Sequence, residues 1–346
     1  MVFLSFFFQK NDNFCMFIIN NITIKGVINM NNLRKIGLSA LAGSLATFSV
    51  NAADVSVSGG ASISFDDTNR GKGDRGNGFY MGDSLKFNMS GETDGGLGVA
   101  VYYEIDGGAL DDYDMTLSGD WGSLKFNGSG SSSAFGAVDD KTPNAYEEAW
   151  DIIDDDGTST TGSPTVINGG GGANMFIYTS PSMGGATLTA AYQNHASAAA
   201  ESYTDFAIAF SPEGMDGLSL GIASSNNTIG DNIDSDETTM YATYAFGAFT
   251  VGLQQSDLEH TTANSDQESF AHGITYAIND DFSVGYSYHE LETEDTSDDD
   301  QESTGISASY TMGGMTLAGA SNETKNIAGT STRDVEGYEF TLSFAF

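Results

Sequence analysis

Cysteine is nearly absent from these 346 residues: Cys15 stands alone, ahead of a segment that reads as an export signal. The exported chain therefore offers neither a disulfide framework nor a thiolate site. Proline is scarce, with four residues against 43 glycines, which suits an all-β chain that turns often and holds few long helices. Bases are few as well. Twelve Lys and Arg face 48 Asp and Glu, for a formal net charge of −36, which repels phosphate-rich partners and excludes nucleic-acid binding. Long apolar runs are missing from the latter part of the chain, so membrane-spanning helices are not available there. Yet 39% of the residues are hydrophobic, which excludes wholesale disorder. The four histidines, His195, His260, His272 and His289, are scattered without metal-ligand spacing, so neither a metal nor another cofactor is expected.

What is present begins with an address. From Met30, Arg34 and Lys35 form a basic start, Ile36 to Phe48 an apolar run, and Val50-Asn51-Ala52-Ala53 a small-residue ending. This is the pattern of a secretory signal peptide, cleaved after Ala52 or Ala53. Residues 1–29 look unrelated to it, as an upstream extension from a mis-called start, with translation expected at Met30. The expected division is thus 1–29 upstream, 30–53 signal and 54–346 exported domain. Lys10, Lys25, Arg34, Lys35 and Asp12 precede Asp54, leaving eight bases against 47 acids in the exported part.

From Asp54 onward, period-two apolar segments follow one another. Val55, Val57, Ala61, Ile63 and Phe65 open the series; Val99, Val101, Tyr103 and Ile105, then Phe282, Val284, Tyr286 and Tyr288, are typical members. Tyr338, Phe340, Leu342, Phe344 and Phe346 close it, and sixteen segments are counted. Short turns such as "GDWGS", "FGA", "INDD" and "MGG" alternate with longer acidic stretches at 66–78, 106–112, 129–173, 194–202, 224–238, 255–269, 290–302 and 321–336. A meander with all its long loops at one end predicts a transmembrane antiparallel β-barrel of sixteen strands. Charges on such a wall must take the parity opposite to the lipid face. Lys86, Glu104, Asp114 and Lys125 all alternate against apolar neighbours and are expected to line the lumen. Aromatics collect toward strand ends, at Phe79 and Tyr80, Tyr102 and Tyr103, Phe246 and Phe249, as interfacial residues do.

Four stretches together carry a resemblance: the signal running into "AADVSVSGGASISF", the "GDWGSLKFNGS" turn and strand, the "NMFIYTSPSMGGATLTAAY" hairpin and the terminal "YEFTLSFAF". Over essentially the whole exported chain this resembles the Gram-negative general porin family of sixteen-stranded trimers. The resemblance implies an outer-membrane diffusion channel for ions and small hydrophilic solutes, seated in outer-membrane lipid and lipopolysaccharide. It implies that Phe346 is read by the outer-membrane assembly machinery. It also implies that the long connection at 129–173 folds back into the barrel as a constriction loop. That loop carries Asp139, Asp140, Glu147, Glu148, Asp151, Asp154, Asp155 and Asp156 against the single Lys141, with a short helix expected over 144–153. With so few wall bases to oppose these acids, a cation-selective pore is expected.

Two other classes fit parts of this pattern. "GLSLG" at 217–221 matches a nucleophile-elbow pattern, but Ser219 lies inside an alternating strand rather than between a strand and a helix. A barrel enzyme would need a Ser–His pair at one rim, such as Ser269 with His272 or Ser287 with His289. A secreted acidic adhesin or structural protein would explain the charge but not the aromatic ending. The channel accounts for all of these features, and no enzyme activity is expected.

Overall fold

The computed structural model describes residues 14–19, 22–27, 54–68, 78–151, 166–170, 172–194, 202–228, 234–294 and 299–346. The signal segment at 30–53, and Asp154, Asp155, Asp156 and His195, lie outside the described residues.

Two short strands, β1 (Phe14–Ile19) and β2 (Ile22–Val27), pair in a sheet of their own. The remaining sixteen close a single barrel. Its first half runs β3 (Asp54–Thr68), β4 (Phe79–Glu92), β5 (Gly98–Asp106), β6 (Ala109–Gly119), β7 (Gly122–Ser129), β8 (Met175–Thr179), β9 (Ala186–Gln193) and β10 (Tyr203–Phe210). Its second half runs β11 (Leu218–Thr228), β12 (Asp234–Phe246), β13 (Phe249–His260), β14 (Gln267–Ala277), β15 (Phe282–Thr293), β16 (Gln301–Met312), β17 (Met315–Lys325) and β18 (Val335–Ala345). Each strand pairs antiparallel with its sequence neighbours, and β18 returns to β3 from Gly337↔Thr68 to Ala345↔Gly60. The Phe346 and Gly59 backbones complete this seam with two hydrogen bonds, at 2.8 and 3.0 Å. No described helix is long and apolar enough to cross a membrane.

Side-chain alternation sorts the wall into two faces, because successive Cβ atoms of a strand point to opposite sides. The apolar parity points outward: Ile63, Met81, Phe206 and Ile306 are 57–68% exposed. Such a belt is an aggregation liability in water and is solvated in a bilayer. The other parity points inward and is largely polar, with Glu104, Asn127, Asp205, Thr239, Gln254 and Ser303 all buried. Aromatic rings gather at both rims of the belt. Tyr244, Phe246, Phe249 and Tyr276 stack in series at 5.6, 5.7 and 4.6 Å at the short-turn end. Phe65 meets Phe79 at 4.7 Å and Tyr338 at 6.1 Å at the other.

Three expectations are corrected. The stretch at 106–112 is no long loop: Gly107 and Gly108, at φ 55° and 81°, make a two-residue turn, with Asp106 paired to Ala109. Two successive positive φ values are what such a hairpin turn requires, and glycine supplies them without steric cost. Several acidic stretches read as loop are strand, as in Asp236↔Glu259, Glu268↔Glu292 and Glu290↔Glu302. Apolar alternation stops where lipid contact stops, whereas the backbone ladder continues above it. Finally, Tyr80 and Tyr102 do not join the outer aromatics. They stand on the inner parity, donating to Glu339 and Glu104.

Candidate functional site

The described part of the connection between β7 and β8, through Asp151, turns into the barrel and lies along one side of its inner wall. Its root is fixed on β10, where the buried Asp205 accepts from the Phe135 backbone N–H at 2.7 Å and from the Tyr203 hydroxyl at 2.9 Å. Phe135 is fully buried in an apolar cluster with Ala191, Ala207 and Ala223, inward residues of β9, β10 and β11 small enough to admit a ring. Farther along, the Gln254 amide donates to the Val138 carbonyl at 2.9 Å and accepts from the Lys141 N–H at 2.8 Å.

Beyond Lys141 the loop crosses a track of glycines. A Cβ at Gly273 would stand 2.2 Å from the Pro143 carbonyl oxygen, and one at Gly252 would stand 2.5 Å from the Pro143 ring. At Gly285 and Gly305 it would meet the Ala145 nitrogen at 2.8 Å and the Ala149 Cα at 3.1 Å. These four strand glycines let backbone lie directly on backbone. Hydrogen bonds pin the same segment. The Ala145 N–H donates to Ser307 at 3.0 Å, Asn322 donates to the Glu148 carbonyl at 2.6 Å, and the Tyr146 hydroxyl donates to Thr341 at 2.8 Å and to Glu339. Trp150 packs on His289 with ring centroids 4.7 Å apart. The described part of the expected helix at 144–153 is not helical. The Ala145 N–H and the Glu148 C=O bond the wall instead of a helical turn, while the Asp151 N–H returns to the Glu148 C=O at 3.3 Å.

Three acids of the loop come together along this segment. Carboxylate oxygens of Glu147, Glu148 and Asp151 lie within 4.8 Å of one another, and Asn144 donates to Glu148 at 2.5 Å. Lost hydration, then the Asp151 charge, pushes Glu147 up to about 7. Burial, the bond with Asp151 and the Asp140 charge raise Glu148 as well. Asp140 is raised by lost hydration and by Asp151, against a bond with Glu148 that lowers it. Asp139, which accepts from the Gly169 N–H at 2.9 Å, is pushed up to about 6 by burial. Like charges crowded in a poorly hydrated place resist ionising together.

The opposite side of the lumen, on β4 to β7, carries charges in pairs. Lys86 meets Glu104 at 3.3 Å and Lys125 meets Asp114 at 3.3 Å, all four on the inner parity. Nothing in the sequence singles out the loop anchors Tyr146, Asp205, Gln254, Asn322 and Glu339. Their inward parity was legible, but nothing in a strand pattern says which polar residue will receive a loop. Among the described residues the two Ser–His pairs considered from the sequence are not brought together as hydrogen-bonded pairs. His272 lies outward among Phe270, Tyr286 and Tyr288, while Ser269 faces inward on the same strand. Ser287 and His289 share the inner face, but there the His289 ring is covered by Trp150 and its Nδ1 has no partner. Ser219 bonds the Tyr241 hydroxyl at 3.2 Å inside the strand ladder.

The sequence model of the Gram-negative porin family matches residues 37–329. The chain belongs to that family. Solved porin structures share its fold. A porin refined at 1.8 Å aligns with a TM-score of 0.63 at 19% identity, covering 85% of this chain and all of the other. An anion-selective porin from Comamonas acidovorans aligns with a TM-score of 0.59 at 16% identity, with the same coverages. OmpT of Vibrio cholerae aligns at 0.63 and 11% identity, covering 86% of this chain and 99% of the other. No curated protein sequence matches. Family, outward apolar belt and wet interior together place this porin as an outer-membrane channel.

Proposed function

We propose that this porin is a passive, cation-preferring diffusion channel for ions and small hydrophilic solutes. The observation that carries the reading is the charge arrangement across the constriction. Each wall base among the described lumen residues of β4 to β7 is neutralised by a carboxylate at 3.3 Å, while the loop opposite presents Glu147, Glu148 and Asp151 in one group. Even with some of these acids protonated, the net field is negative, and low-dielectric walls concentrate it. The anion-selective porin with the same fold is no obstacle, since side chains at the constriction set the sign of selectivity while the barrel only holds them. Screening limits the effect: the Debye length is ~10 Å at 0.1 M salt and ~3 Å at 1 M, so selectivity falls as salt rises.

The test is the reversal potential across a salt gradient in a planar bilayer. Changing Glu147→Gln, Glu148→Gln and Asp151→Asn together is expected to lower cation preference more than changing Asp299→Asn and Asp300→Asn between β15 and β16. An anion-selective wild type, or equal shifts from the two sets, refutes the reading.

The proposal extends to the setting of the pore. Residues 54–346 form the exported barrel, three copies associate in contact with lipopolysaccharide, and Phe346 is read by the assembly machinery. Phe346 also seals the seam with Gly59, so its deletion is expected to lower the amount of barrel in the outer membrane while leaving single-channel conductance intact. Wild-type levels of the truncated protein count against that role, and native mass in detergent checks the trimer.

A further inference from the structure

A recess of about 580 Å³ opens on the inner wall beside the start of the β7–β8 connection, lined by Asn88, Ser90, Tyr102, Asp114, Lys125 and the loop's Ser131. Its floor is an ion pair with spare capacity. Lys125 has an ammonium with three protons, yet it meets Asp114 at 3.3 Å and Ser131 at 3.5 Å. Asp114 accepts otherwise from Thr116 at 3.5 Å. These contacts sit at or beyond the long limit of hydrogen-bond geometry, and a carboxylate has about four acceptor positions to fill. The Lys125 side chain is 36% exposed and that of Asp114 12%, so the ammonium faces what crosses the lumen and the carboxylate is reached through the recess at its edge.

We propose that this recess is a weak subsite for small zwitterionic solutes of the α-amino acid class. The inference rests on the diffusion-channel reading above. A simple cation placed here meets the ammonium of Lys125, and a simple anion meets the carboxylate of Asp114. A molecule with an ammonium and a carboxylate on one carbon can lie antiparallel to the pair and satisfy both charges with charge-assisted hydrogen bonds. The Asn88 amide and the Ser90 and Ser131 hydroxyls supply further donors and acceptors around the main contact. The second pair, Lys86 with Glu104 on β4 and β5, adds no net charge, and Asp112 beside it leaves this stretch of wall with one excess negative charge, too little to expel a dipolar solute. Binding in a pore helps passage only while it stays weak enough to release the solute, and an open recess with a single ion pair fits that condition.

Liposome swelling with the full protein tests this, with L-threonine and the similar-sized neutral polyol erythritol as probes. In the wild type, threonine is expected to enter about threefold faster than erythritol, the scale of one net hydrogen bond, and its rate is expected to saturate with concentration. In the double variant Asp114→Asn with Lys125→Gln, which removes both charges without orphaning either, the ratio is expected to fall to that set by size alone. Heat-dependent gel migration of the same sample reports whether the barrel has formed, and Lys125→Gln alone provides a second variant. Equal entry of the two probes in the wild type overturns the proposal. So does a threonine preference that survives in the variants, or an erythritol preference that disappears in them. If erythritol itself does not enter, the channel reading fails first.

Discussion

Two halves of one inner wall obey the same alternation and do opposite things. From β13 to β17 the inward positions that meet the loop are small or neutral: Gly252, Gly273, Gly285, Gly305, Ser307 and Asn322. From β4 to β7 they include Lys86, Glu104, Asp114 and Lys125, already joined in pairs. The first half has given up side chains so that another stretch of backbone can lie against it. The second half keeps charged side chains joined in pairs, with the lysines 42% and 36% exposed toward the lumen and the carboxylates shielded behind them. Burying an unpaired charge under the loop would cost several kcal/mol, whereas a charge beside a wet lumen costs little. On the channel reading proposed above, the division marks the pore's course between the described loop acids and the strands β4 to β7.

The largest effect expected concerns what both halves share, an outer face in lipid. Val101 on β5 lies between Met89 and Met115 on the neighbouring strands. Val101→Arg is expected to destabilise folding by ~2–4 kcal/mol if it sits near the bilayer midplane, read by denaturant titration in vesicles. Ala100→Arg, one position along and facing inward, is expected to fold and to alter conductance. Equal damage from the two would break the assignment of faces.

A smaller effect separates the halves themselves. Gly273→Val drives a side chain into the Pro143 backbone, an overpacking that costs about 1–3 kcal/mol of loop docking. Conductance is expected to rise and become noisy as the loop leaves the wall. Gly95→Val, in the turn between β4 and β5 where the nearest contact is Thr93 at 3.9 Å, is the matched control and is expected to leave conductance unchanged. A silent Gly273→Val would mean that the loop does not need the track.

The smallest effect is a dependence on pH. Asp139 is pushed up to about 6 and Glu147 to about 7, so both are protonated in acid and ionise as pH rises through those values. Cation preference is expected to grow from pH 5 to pH 8. The sign for stability is the reverse. The carboxyls are held above their ordinary range, so the docked loop is firmest below that range and loses support as pH rises through the raised values. Reversal potentials at fixed salt across this pH window check the first effect. A preference that is flat, or that falls with rising pH, would remove Asp139 and Glu147 from the filter.

Much of this molecule is legible in the order of its residues. A period of two, sustained from Val55 to Phe346, fixes which side chains meet lipid, because a strand has only two faces and charge is costly on one of them. That alone places Lys86, Glu104, Asp114 and Lys125 on the inner wall and gives the strand count. The exceptions have local causes. Gly107-Gly108 folds a supposed loop into a tight turn, and the acidic ends of β12 to β16 stay in the ladder above the apolar belt, where parity carries no hydrophobic signal. Only the tertiary structure decided which inner residues are covered. Nothing near Gly252 or Gly273 in the chain mentions Pro143, and nothing near Glu339 mentions Tyr146. The sequence determined the barrel because alternation is a local property of each strand. The pore's course and charge depend on where one loop lies down, and that is settled by contacts between residues more than a hundred positions apart.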